Sequence, residues 1–174
     1  MADYDQHKQK VNTQVNAENV HIHLSNLVHQ VWDELEPDLQ DAFSMAYNQA
    51  RRDGVNVIKT RYLIAALAKL NTESISEFLK HVPVKALPKP INTGITTERT
   101  ILDENPTLSG CVEDSLKHLS PKASNARKLS SADLLVDIAR YGTGNSVARL
   151  RNNGITEERV NEIVSEMGLD LINR

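Results

Sequence analysis

The sequence predicts an all-α fold built as a duplicated helical unit, and three observations carry that prediction. Apolar residues recur at helical spacing through most of the chain. Aromatic residues make up only 4% of the 174, and glycine and proline number 7 and 6, which favours aliphatic helix packing over a strand-rich sandwich. One cap-and-stripe pattern occurs twice, 71 residues apart: Thr60-Arg61-Tyr62-Leu63-Ile64-Ala65-Ala66-Leu67 and Ser131-Ala132-Asp133-Leu134-Leu135-Val136-Asp137-Ile138. In each, a hydroxyl residue that can cap a helix precedes an apolar stripe. Two such copies, neither able to bury its apolar face alone, pack together as a pseudo-two-fold bundle.

Residues 1–24 read as a polar extension. Within it Val20, Ile22 and Leu24 alternate with Asn19, His21, His23 and Ser25, a period-2 pattern that can form one short strand. A single strand needs a partner, so the extension is either disordered in isolation or mediates assembly into homo-oligomers. Leu24, Leu27, Val28, Val31 and Leu35 then form a helical stripe, with Ser25 placed to cap it. Pro37 suits a first helical position, Glu36 and Asp38 favour the positive helix end, and Gly54 is a stop; between them Leu39, Ala42, Phe43, Ala46 and Ala50 share a face. A helix capped by Thr60 buries Leu63, Ile64, Leu67 and Leu70, and a short one over 72–81 carries Ile75, Phe78 and Leu79.

Pro83, Pro88, Pro90, Gly94 and Pro106 interrupt any helical period over 83–107. The boundaries that follow are a domain over 25–168, with a first repeat over about 35–87, a linker over about 88–107 and a second repeat over about 108–168. In the second repeat the stripes are Cys111, Val112, Leu116 and Leu119; Leu134, Leu135 and Ile138; Val147 and Leu150; and Val160, Ile163 and Val164. Gly142 and Gly154 sit at helix ends, and Thr156 caps the last helix.

Composition excludes several classes of function. A formal charge of -3 gives no excess of cations to neutralise a phosphate backbone, so nucleic acid is not an expected partner. No stretch approaches the roughly 20 apolar residues that span a bilayer, and the polar start MADYDQHKQK is unlike a signal peptide. The one cysteine, Cys111, cannot form an internal disulfide and falls on an apolar face, as a buried small hydrophobe does. A reducing cytoplasm is the expected compartment.

The chain also resembles a known family. The first half reads Leu35-Glu36-Pro37, Ala46, Ala50, Gly54, Ile58 and Thr60-Arg61-Tyr62-Leu63-Ile64. The second reads Leu129, Ser131-Ala132-Asp133-Leu134-Leu135, Gly144-Asn145-Ser146-Val147-Ala148-Arg149-Leu150 and Asn153-Gly154-Ile155. Over about residues 35–168 this pattern of caps and stripes resembles the N-terminal repeat domain of Clp-type ATP-driven unfoldases. The resemblance implies about eight helices in two four-helix repeats, and a module that receives adaptor proteins and client proteins or peptides. Two departures matter. The fourth helix of the first repeat looks truncated, because 84–87 is hemmed in by Pro83 and Pro88. The acid that follows the capping Thr in some members, where it helps to read phosphorylated arginine, is replaced by Arg61 and Ala132, which removes the counter-charge for that ligand.

No G-x-x-x-x-G-K-[ST] loop occurs, so no ATP-hydrolysing motor is expected, and no constellation predicts an enzyme or a cofactor. Gly142-Thr143-Gly144-Asn145-Ser146 lacks the lysine of a phosphate loop and reads as helix termination and capping. His21 and His23 share one face of the candidate strand, but no completing ligands lie near, so no metal site is expected. The partner-binding candidates are the residues at the repeated helix starts: Thr60, Arg61 and Tyr62, Ser131 and Asp133, with Glu36 nearby. Helix-start N–H groups attract carboxylates, and tyrosine is enriched at interfaces. A second candidate surface comprises Arg51, Arg52 and Asp53 with 149–151, basic patches able to meet acidic peptides. The leading expectation is a module binding an adaptor, client or peptide; the alternative is a stand-alone interaction or regulatory protein that assembles through its N-terminal extension.

Overall fold

The computed structural model describes residues 27–96, 98–104 and 106–172. The candidate strand over 20–24, Ser25, and the pair His21 and His23 lie outside them. Nine α-helices and one pair of two-residue strands are found among the described residues, so the fold is all-α with a small added sheet.

In the first half, α1 (Leu27–Val31) tightens into a 3-10 turn (Trp32–Glu34) and buries Val28, Val31 and Leu35. α2 (Pro37–Arg52) follows, with Pro37 at its start, and buries Leu39, Ala42, Phe43, Ala46 and Ala50 as their spacing predicts. It ends before Gly54, whose φ of +70° a side chain would strain. Then come β1 (Val57–Ile58), α3 (Thr60–Leu70), α4 (Glu73–Lys80) and a single 3-10 turn, Val84–Ala86, which is all that remains of a fourth helix. The second half holds β2 (Thr107–Leu108), α6 (Gly110–Ala126), α7 (Ser131–Tyr141), α8 (Asn145–Asn152) and α9 (Glu157–Met167).

The segment between the halves departs from expectation. Prolines were expected to prevent helix there, yet α5 (Glu98–Glu104) forms in the proline-free stretch between Pro90 and Pro106. Before it the chain lies along α2: Thr93 Oγ1 donates to the Met45 carbonyl at 3.0 Å, Asn48 Nδ2 to that of Gly94 at 3.0 Å, and the Thr96 amide to Ser44 Oγ at 2.6 Å. Ile91 and Ile101 are buried in the core.

Two caps are also displaced. Thr60 and Ser131, expected to be caps, are each the first helical residue. Lys59 precedes α3 without a side-chain capping bond, and Thr60 Oγ1 lies 3.0 Å from Ser109 Oγ instead. Ser130 caps α7, because an acid three residues on can reach back. The Asp133 amide donates to Ser130 Oγ at 3.2 Å and the Asp133 carboxylate accepts from the Ser130 amide at 2.8 Å. Ser131 has Leu134 at the corresponding place, and its hydroxyl donates to Asp38. Thr156 caps α9 as expected, accepting from the Arg159 amide at 3.3 Å.

The halves interlock through exchanged backbone pairs. Leu35, two residues before α2, pairs with Leu129, two residues before α7, in a parallel bridge. The strand before α6 pairs with the strand before α3, Leu108 with Ile58, also parallel. The hydrogen bonds repeat the relation: the Glu36 amide donates to the Leu129 carbonyl at 2.8 Å, and the Ser109 amide to the Ile58 carbonyl at 3.0 Å. The pseudo-two-fold therefore relates α2 to α6, α3 to α7 and α4 to α8. Packing obeys it as well, since α9 lies on α4 while the Val84–Ala86 turn lies on α8.

The core centres on α7, which touches α2, α3, α4, α6, α8 and α9 and is buried from Ser131 through Ala139. Gly142 closes it tightly. A Cβ there would lie 2.3 Å from the Ile138 carbonyl oxygen and 2.7 Å from Cys111 Sγ, so only glycine fits. Among the described residues no helix is long and apolar enough to cross a membrane.

Candidate partner-binding cleft

A cleft of about 500 Å³ opens between the halves, within the size range of sites that bind small ligands or side chains. One wall is the end of α2 and the start of α3, with Gln49, Asp53, Arg61 and Tyr62. The facing wall is the first turns of α8, with Asn145, Ser146 and Arg149. The floor is Ala86 and the segment 88–91.

The start of α3 is held by a polar chain. Tyr62 Oη donates to Asp53 Oδ2, Gln49 Nε2 donates to Asp53 Oδ1 at 2.9 Å, and Arg61 Nη2 donates to Tyr62 Oη at 2.7 Å. The Arg61 guanidinium lies 4.6 Å from the Tyr62 ring centroid and 3.6 Å from Asp53. The Tyr62 bond, then that of Gln49, lowers the Asp53 pKa below its ordinary range, while burial and the carboxylate beside it raise that of Tyr62. Tyr62 is thus buried at 4% exposure, with its ring fixed in the wall and the Arg61 side chain over it. On the facing wall Arg149 Nε donates to the Lys85 carbonyl at 2.7 Å, and Lys89 is exposed on the floor segment.

The residues expected at the helix starts divide. Arg61 and Tyr62 line the cleft. Thr60 is buried below it against Ser109. Ser131 and Asp133 are buried at the other end of the pseudo-two-fold rather than on an open face, and Glu36, half-buried, stands near Asp38, Arg127 and Asp133. There the Asp133 carboxylate accepts from Arg127 Nη1 at 2.7 Å and Nη2 at 2.9 Å, from Ser130 Oγ at 2.6 Å and from the Ile172 amide at 2.8 Å. Burial raises the Asp133 pKa, but the bonds from Arg127 and Ser130 outweigh it and hold the group below its ordinary range. Glu36 shifts the other way: burial and then Asp38 raise it, against the lowering effect of Arg127.

The basic patches divide too. Arg51 is committed to Glu104 at 2.6 Å, and Arg151 donates to the Arg140 and Gly142 carbonyls, securing the end of α7. Only Arg149 and Asp53 from these patches face the cleft. Sequence reasoning missed Lys89 and its neighbours Pro88, Pro90 and Ile91, because the prolines read as a linker; the truncated fourth helix was the signal that a gap lay beside them. Among the described residues no group of His, Cys, Asp and Glu is placed to hold a metal ion. No family model matches the chain, and no curated protein matches it either.

Proposed function

We propose that this chain is a protein-interaction module that binds an adaptor, client protein or peptide in the cleft between its halves, working as the N-terminal domain of a Clp-type unfoldase does. The observation that carries the reading is the cleft itself. It joins elements of both repeats and sets Pro88 and Pro90, over the nearly covered Tyr62, Ala86 and Ile91, within a rim of charged side chains. That mixture matches the apolar centre and polar edge of protein interfaces. The cap-and-stripe resemblance adds support, and so does the exchanged pairing of the two repeats. Binding without catalysis is the reading, since neither histidine nor cysteine lines the cleft among the described residues to activate Ser146 or Tyr62.

The test is selection of peptides from a random display library on the intact chain, followed by titration of the selected peptides. Arg149→Glu and Tyr62→Ala are expected to weaken them by about tenfold or more, equivalent to about 1.4 kcal/mol, while Arg52→Glu outside the cleft leaves them unchanged. Equal weakening by all three, or by none, removes the site from the cleft.

A further inference from the structure

The two halves differ most in their fourth element. α9 is an 11-residue helix that lies on α4 and α7. The pseudo-two-fold sends α4 to α8 and α7 to α3, so a twin of α9 belongs on α3 and α8. There the chain supplies only the turn Val84–Ala86, and among the described residues no helix resumes until Glu98. The cleft between Arg61 and Tyr62 of α3 and Asn145, Ser146 and Arg149 of α8 lies in that place.

We infer that the cleft receives an amphipathic helix of a partner protein, apolar on one face and acidic along its flanks, which takes the position of the missing twin of α9. This rests on the interaction-module reading and narrows it to one class of partner. Helix is favoured over strand because Pro88 and Pro90 on the floor have no N–H to offer an added strand. The facing walls are helical, and α9 shows the packing by setting Val160 and Ile163, one turn apart, into the core. Acidic flanks are favoured by charge. Three cations, Arg61, Lys89 and Arg149, meet one carboxylate, Asp53, in a chain of net formal charge -3. Asp53 is already engaged by Tyr62 and Gln49, which leaves Lys89 and the outer nitrogens of Arg149 to receive carboxylates.

Fluorescence anisotropy with three labelled synthetic peptides of about three helical turns tests the inference on the full chain. The first carries leucines at i, i+3, i+4 and i+7 with glutamate flanks; the second has lysine flanks; the third is the first with a central proline. The glutamate peptide is expected to bind about tenfold tighter than either of the others, and added salt is expected to weaken it. In the variant Lys89→Glu/Arg149→Glu the order of the glutamate and lysine peptides should reverse, with thermal melting reporting that the fold is kept; Lys89→Glu alone, on an exposed side chain, should shift the order in the same direction. Equal binding of the proline-broken peptide overturns the helical occupant, and an unreversed order overturns the acidic one. Tighter binding by a peptide of residues 1–26, or a dimer abolished by the cleft variants, would give the cleft to the chain itself and overturn the inference. Library peptides that need the cleft but are extended or basic would leave the interaction module standing without this partner. If no peptide responds to the cleft variants, both fall.

Discussion

Replacing Asp133 tests how the start of α7 is held. Its carboxylate is buried, at 0% side-chain exposure, and accepts from both terminal nitrogens of Arg127, the amide and hydroxyl of Ser130, and the Ile172 amide. Hydrogen bonds to a charged group are worth about 1.5–3 kcal/mol each in deletion experiments, but they do not add. Breaking a buried pair by removing one partner costs about 3–5 kcal/mol. Arg127 is 33% exposed and can regain some water, which places Asp133→Ala near the lower end, about 3 kcal/mol, and Asp133→Asn at about 2 kcal/mol. The assay is urea unfolding followed by far-UV circular dichroism, with Arg127→Ala and the double variant completing a cycle. The pH dependence has a definite sign. The folded pKa of Asp133 lies below the ordinary 3.8, so its stabilisation is complete above that value and disappears as pH falls through the lower folded pKa. The gap between wild type and Asp133→Asn should therefore be flat at neutral pH and close in acid. A loss under about 1 kcal/mol, or a gap unchanged into strong acid, would refute the role assigned to this carboxylate.

Three further outcomes are expected. Gly142→Ala should lower stability by about 2 kcal/mol or more in thermal melts, since its methyl group meets backbone and packed sulfur rather than a flexible side-chain end. Tyr62→Phe removes the donor to Asp53, so the Asp53 carboxyl should titrate closer to its ordinary 3.8 when followed by carbon NMR; an unmoved titration would assign the lowering to the Gln49 bond and Arg61 instead. Replacing both Pro88 and Pro90 with alanine should raise helical ellipticity, because each proline in a helix interior costs about 3 kcal/mol, and should weaken cleft binding; unchanged spectra and binding would show that packing, not proline, holds the segment.

What the sequence discloses depends on whether a feature is periodic. The α2 face of Leu39, Ala42, Phe43, Ala46 and Ala50 is read at once, since burying one side of a regular helix forces that spacing. The same holds for Leu134, Leu135 and Ile138 in α7. Caps are single residues, and adjacent hydroxyls compete: Ser131 looks as good as Ser130 until Asp133 is counted as the reciprocal acceptor. The exchanged strand pairs are two residues or fewer, too short for alternation to register, and α5 has only seven residues. The cleft sets Tyr62 and Arg149 on facing walls, an arrangement that no local pattern encodes and only the pairing of the two repeats creates.

The cleft follows from where the proline residues interrupt the duplicated unit. Val84, Leu87 and Ile91 have the i, i+3, i+7 spacing of an apolar helical face, and Gly94 would be a natural stop beyond them. Pro88 and Pro90 fall inside that run, where each would remove a backbone donor and clash with the preceding turn. The consequence is visible in where the stripe goes. Ile91 turns into the core, Leu87 is half-buried, and Val84 is left 86% exposed, a large apolar side chain that a continuous helix would have shared with α8. The sequence thus keeps the hydrophobic pattern of a fourth helix while forbidding its backbone. The surface that helix would have covered on α3 and α8 remains open beside the cations of Arg61, Lys89 and Arg149. A helix brought by another protein meets no such prohibition, since it comes with its own backbone bonds already made.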